Sequence, residues 1–191
     1  ELVDADTIDL GASTISGEYD VLAKLGNITQ SGNLTVNNSK ASVFETEAPN
    51  ATIDLDTAGL TNAFSGTVKL TTTGSSAHAY IDNGTTALQI TGGSSVGGNL
   101  TLVSGNASGI TDAGTLTVGG NLDAETDANN GVITLDGLAV SGKIELDTVV
   151  VSNLGTGTAQ TGSIGTTIKL ASGASTTDDI YNSMTVYISS G

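Results

Sequence analysis

The stretch Val96–Thr126, "VGGNLTLVSGNASGITDAGTLTVGGNLDAET", decides the fold. It says nearly the same thing twice, "VGGNLT" at 96–101 and "VGGNLD" at 118–123, without a His, Cys, Arg or aromatic residue. Between the two phrases, "NLTLV" and "TLTV" alternate apolar and polar residues. Period two places one set of side chains inward and the other outward on a strand. The Gly-Gly-Asn steps that interrupt the runs suit tight turns.

The same grammar extends outward in both directions. Short alternating runs recur at 7–12, 33–38, 51–59, 66–74, 87–93, 131–137, 142–148, 166–173 and 184–191, most of them ended by Gly or Asn. Many carry two apolar residues two apart, as in Ile53/Leu55, Val68/Leu70, Leu100/Leu102, Ile133/Leu135 and Ile144/Leu146. No window carries a helical stripe, so the chain reads as all-β. A longer repeat lies above the strands. "NITQSGNLTV" (27–36) matches "GITDAGTLTV" (109–118). Each copy is followed by an "I-x-L-D" strand (Ile53–Asp56, Ile133–Asp136) and then a strand running from Ser65 to Leu70 or from Ser141 to Leu146. Ordered repetition over about 27–70 and 109–146 is the mark of stacked architecture, because a single coil cannot bury its own apolar edge. Two architectures compete: a right-handed parallel β-helix, and tandem antiparallel β-sandwiches. Sandwiches usually anchor their core on a Trp or Tyr, and this chain has no Trp. The β-helix is therefore expected over 1–165, with a C-terminal strand segment at 166–191 belonging to a longer parent.

Composition narrows the function. Only 13% of the 191 residues are charged and 3% are aromatic, so Thr, Ser, Asn and Gly must form the surface. The net charge is −15 with five Lys and no Arg. Phosphate binding needs a basic footprint, so nucleic acid is excluded as a partner, as are anionic membrane surfaces. No apolar run is long enough for a membrane-spanning helix. The absence of Cys removes disulfide and thiolate-metal chemistry and fits an exported protein. The chain opens on Glu1, as a mature or excerpted chain would.

The succession of "GNITQSGNLTV", "ATIDLDTAGLTNAFSGTVKLTT" and "ALQITGGSSVGGNLTLVSGNASGITDAGTLTVGG" resembles the haemagglutinin-type repeats of filamentous bacterial adhesins. It is similar, too, to the β-helical stalks of autotransporter and two-partner-secretion proteins. The pattern "N-x-F-x-G-x-V-x-L" falls on Asn62, Phe64, Gly66, Val68 and Leu70. The second copy departs from it, with Leu138 and Val140 in the Asn and Phe places. The resemblance covers about 25–155. It implies a right-handed parallel β-helix, an extracellular or cell-surface location, and adhesion or stalk service. Partners so implied are a host-cell receptor or glycan, or self-association into filaments. Residues 37–51 and 71–86 are the longest candidate loops to carry such a contact. A second reading is a polysaccharide-active β-helical enzyme, or a glycan-binding module like those of phage tail fibres.

Catalytic chemistry is thinly represented, and no enzyme is expected. Asp54 and Asp56 could share a strand face, but their alternation with Ile53 and Leu55 reads as an outward, solubilising pair. His78 stands alone and lacks the partners that a zinc site or a nucleophile would need. No cofactor is expected, with calcium the one candidate. "DAETDANNG" (123–131) sets Asp123, Glu125, Asp127 and Asn129 at alternating positions, and hard cations prefer such oxygen ligands. It lacks the bidentate Glu of an EF-hand, and an acidic turn is the plain reading. Asn27, Asn33, Asn37, Asn50, Asn83, Asn99 and Asn106 each begin an Asn-x-Ser/Thr triplet. A turn-ending Asn before a strand-opening Thr generates that spacing by itself.

Overall fold

A computed structural model of the chain describes residues 1–148. The described residues form strands and turns with no helix. Strands follow one another in short coils. The first three coils are β1 (Leu2–Asp4), β2 (Ile8–Leu10) and β3 (Ser13–Ile15); β4 (Tyr19–Ala23), β5 (Ile28–Gln30) and β6 (Leu34–Val36); and β7 (Ser42–Thr46), β8 (Ile53–Leu55) and β9 (Ala63–Phe64). The fourth has only β10 (Thr67–Thr71) and β11 (Ala79–Asp82). The last three are β12 (Leu88–Thr91), β13 (Ser95–Val96) and β14 (Leu100–Ser104); β15 (Ile110–Ala113), β16 (Leu116–Val118) and β17 (Leu122–Thr126); and β18 (Ile133–Thr134), β19 (Leu138–Val140) and β20 (Ile144–Thr148).

All the pairings among these strands are parallel, each strand meeting its counterpart one coil away. This is a parallel β-helix, and the sandwich alternative, which needs antiparallel sheets, falls. Two long sheets run the length of the stack. The first follows β1-β4-β7-β10-β12-β15-β18 and the second β2-β5-β8-β11-β14-β17-β20. Inward residues stack into aliphatic ladders. Leu55, Ile81, Leu102 and Ala124 form one such ladder and are fully buried, as are Leu88 and Ile110, which stack in the first sheet. Tyr19, Phe44 and Phe64 add a chain of edge-to-face rings at 5.7 and 5.5 Å. Edge-to-face contact suits the ring quadrupole and adds to the area the rings bury.

A third, short side changes place halfway along. In the first half it is built by β3, β6 and β9, and the chain visits first sheet, second sheet, short side. In the second half it is built by β13, β16 and β19, and the chain visits first sheet, short side, second sheet. The short side has crossed to the opposite flank of the two long sheets. The switch follows from strand arithmetic. Strands β11–β20 copy β1–β10 one for one, but β1, β4, β7 and β10 lie in the first sheet while β11, β14, β17 and β20 lie in the second. The second copy is thus turned by about half a coil. The phrases matched in the sequence obey this rule: Ile28 lies in the second sheet and Ile110 in the first, and likewise Ile53 and Ile133.

Asn83 makes the switch possible. Strand β9 ends the first short side, so the backbone of Phe64 faces a coil that offers no strand there. The buried Asn83 amide stands in for one. Its Oδ1 accepts from the Phe64 N–H at 2.7 Å, and its Nδ2 donates to the carbonyls of Phe64 at 3.1 Å and Ala87 at 2.9 Å. An unpaired buried backbone group would otherwise be costly.

The doubled "VGGNL" phrases lie one directly above the other. Ser95 and Val96 pair with Thr117 and Val118, and Leu100 pairs with Leu122. Gly is required there by contact between coils. A Cβ on Gly119 would run into the carbonyl oxygen of Gly97, and one on Gly97 into that of Gly74. The expected boundary between 165 and 166 lies outside the described residues.

Candidate functional site

The corner that leads into the second long sheet is closed by a ladder of side chains. Thr7 Oγ1 accepts from Asn27 N at 3.3 Å, and Asn27 Oδ1 accepts from Thr52 N at 2.9 Å. Two coils on, His78 Nδ1 accepts from Asn99 N at 2.8 Å, Asn99 Oδ1 from Asn121 N at 2.9 Å, and Asn121 Oδ1 from Lys143 N at 2.9 Å. Each side chain thereby partners a backbone N–H of the next coil, where no sheet pairing reaches. His78 is one rung of this ladder: its Nδ1 is an acceptor, so the proton of the neutral ring sits on Nε2.

Asn62 serves the opposite corner. Its Nδ2 donates to Gln30 Oε1 at 2.8 Å and to the Leu55 carbonyl at 2.9 Å, and its Oδ1 accepts from Leu34 N at 3.1 Å. In the second copy Leu138 takes this place. There Asp112 captures the turn instead, accepting from Asp136 N at 2.8 Å and Gly137 N at 2.9 Å. The family-like residues Phe64, Val68 and Leu70 are all fully buried. Of the seven sequon asparagines, Asn83 is buried, while Asn27 and Asn99 are corner rungs. Nothing in the triplets themselves separates these roles.

The strands of the second long sheet carry more acidic residues than those of the first, among them Asp54, Asp82, Asp123, Glu125, Glu145 and Asp147. One outward column runs Tyr80, Thr101, Asp123, Glu145, and the next runs Asp82, Val103, Glu125, Asp147. Neighbouring coils are about 4.8 Å apart, so like charges stack across them. Burial, followed by the charges of Asp82 and Asp54, pushes the Asp56 carboxyl above its ordinary value. Burial first, then Asp127, Asp147 and Asp123, does the same for Glu125. Lys143 is the cation in this patch, paired with Glu145 at 2.7 Å, with both side chains exposed. Such an exposed pair contributes little to stability. A shallow groove beside it is lined by Tyr80, Asn99, Thr101, Asn121, Asp123 and Lys143, with Glu145 at its edge.

The calcium candidates fall on an extended run rather than a loop. Asp123 and Glu125 project outward from β17, with Asp127 beyond its end and Asn129 in the following turn. Among the described residues, no three His, Cys, Asp or Glu side chains converge as a metal site would require. Asp54 lies outward on β8, between buried Ile53 and Leu55, and Asp56 follows the strand end, partly exposed at the surface. The expected loops 37–51 and 71–86 are ordinary coil. They contain β7 and β11, whose alternate residues are buried in the stack.

These features define a β-helical repeat protein, with its polar side chains engaged mainly in closing corners. The chain belongs to the family described as repeats of unknown function (DUF5649), whose pattern matches residues 1–71 and again 77–148. The two matches coincide with the strand sets β1–β10 and β11–β20. No curated protein and no solved structure matches the chain.

Proposed function

We propose that this chain is a rigid, non-enzymatic stalk segment of a large secreted bacterial surface protein that works in adhesion. The observation that carries the reading is the unbroken stack. Two long sheets share one aliphatic core through both family repeats. Bending such a rod breaks backbone ladders on one side and compresses the core on the other, so its stiffness follows from its bonding. The resemblance of Asn62, Phe64, Gly66, Val68 and Leu70 to haemagglutinin-type repeats supports the surface and adhesive part. The acidic exterior keeps neighbouring rods apart by repulsion. An adhesive contact would use the groove at Tyr80, where one aromatic ring lies among amide and carboxylate groups suited to a glycan. The test is a screen of the immobilised full chain against glycans and host cells, with and without calcium. Capture that is lost on Tyr80→Ala supports adhesion through the groove. Capture that survives Tyr80→Ala sinks the groove and leaves adhesion standing. Absence of capture under every condition sinks the adhesive part and leaves a spacer.

A further inference from the structure

We propose that Asn83 is a deamidation site that the folded chain keeps silent and that unfolding opens, so that time spent unfolded removes the amide on which the mid-chain switch depends.

The chemistry resides in the pair Asn83-Gly84. A glycine nitrogen has no side chain beside it and its backbone turns freely, so it can swing onto the Cγ of the asparagine before it. The Gly84 nitrogen gives its proton to hydroxide and bonds to Cγ. The Cγ–Nδ2 bond breaks, and Nδ2 leaves as ammonia with a proton from water. The five-membered imide then takes up one water at either of its carbonyls and opens to aspartate or isoaspartate. In sum, one water is consumed and one ammonia released.

The fold requires both members of the pair. Asn83 replaces the strand that β9 lacks. Gly84 has a φ of +54°, and a Cβ on it would lie 2.6 Å from Thr61 Cγ2 and 2.9 Å from the Asn62 carbonyl oxygen. A bulkier residue, which would hinder the attacking nitrogen, is therefore strained at this position. The sequence holds one other Asn-Gly pair, Asn130-Gly131.

The folded structure blocks each step. Asn83 is fully buried, away from hydroxide and water. Its Nδ2, the leaving group, is held by the carbonyls of Phe64 and Ala87, and its Oδ1 by the Phe64 N–H. The attacking group is engaged as well, because the Gly84 N–H donates to Asp82 Oδ1 at 2.8 Å. The Asn83 backbone is pinned on both sides. Its N–H donates to the Val103 carbonyl and its own carbonyl accepts from the Thr86 N–H, both at 3.0 Å. Turning the Gly84 nitrogen onto Cγ breaks these bonds. In the unfolded chain none of them remains. The product sets a carboxylate where two donors are needed, and isoaspartate also adds a carbon to the backbone, so a converted chain cannot rebuild the joint between the repeats. Chemical change in the unfolded chain turns a reversible equilibrium into a one-way loss.

The test takes the full 191-residue chain, folded and in guanidinium chloride, through a timed incubation at mildly alkaline pH. Peptide mapping by mass spectrometry follows Asn83 and Asn130. In guanidinium both should convert. In native buffer, conversion at Asn83 should be slower by at least about a hundredfold, the factor that its three buried hydrogen bonds imply. Chains aged in guanidinium and then diluted should refold in a fraction that falls as Asn83 converts. Mapping the separated fractions should find the converted residue 83 only in the chains that stay unfolded. Conversion at Asn83 that runs as fast in the folded chain as in guanidinium overturns the proposal. So does an Asn83 that stays intact in guanidinium while Asn130 converts, and so do converted chains that refold as well as fresh ones. The ratio of folded to unfolded rates decides the matter even for a chain that does not refold.

Discussion

Asn83→Ala tests the explanation of the mid-chain switch most directly. The substitution removes one acceptor and two donors from a fully buried site. It strands the Phe64 N–H and the carbonyls of Phe64 and Ala87. Leaving a buried polar partner unmade costs about 1–3 kcal/mol each, though a water entering the vacated space would recover part of this. The expected loss is therefore about 3–5 kcal/mol, a large share of the stability of an ordinary domain. Asn83→Asp should be at least as damaging. It keeps the acceptor, loses both donors and places a carboxylate where burial penalises charge. The control is Asn37→Ala, whose side chain is exposed and should change stability by less than about 0.5 kcal/mol. Urea unfolding followed by far-ultraviolet circular dichroism gives the comparison, from midpoints at unchanged slope. A loss below about 1 kcal/mol for Asn83→Ala would refute the claim that this amide replaces a missing strand.

Three further outcomes follow from the same geometry. His78→Asn should keep the corner acceptor and leave the melting temperature nearly unchanged, whereas His78→Ala should cost about 1 kcal/mol by stranding the Asn99 N–H. Gly119→Ala places a methyl against the backbone of the coil before it and should cost at least about 2 kcal/mol in the same urea titration. Gly17→Ala meets nothing within 4 Å and should be close to neutral. The third concerns pH. The carboxyls of Asp56 and Glu125 are held above their ordinary values in the folded chain, so the folded state binds their protons more tightly than the unfolded state does. Their contribution thus becomes more favourable as pH falls through the range just above the usual carboxylate values, and less favourable as pH rises through it. Melting curves between neutral and mildly acidic pH should show that gain. Asp56→Asn with Glu125→Gln should flatten it, and added salt should shrink the part due to like charges.

Some of this was legible from residues alone. Strict alternation in runs such as "TIDL" and "NLTLV" determines that they are strands and which side chains face inward, because the pleat has period two. The ordered phrases at 27–70 and 109–146 determine that the strands stack. The 22-residue spacing of the two "VGGNL" phrases is one full coil, and their glycines and leucines behave as equivalent corner and core residues. Tertiary structure alone decided which sheet each strand joins. The first repeat fills three coils of three strands and half of the two-stranded fourth, so the second repeat lands half a turn out of phase, and local pattern carries no record of accumulated rotation. It also decided what the asparagines do. Asn83, Asn99 and Asn37 sit in the same kind of triplet. One completes a missing strand, one caps the next coil's N–H and one faces solvent. A side chain's hydrogen bonds depend on what the neighbouring coil brings within about 3 Å, and that neighbour lies some twenty residues away along the chain.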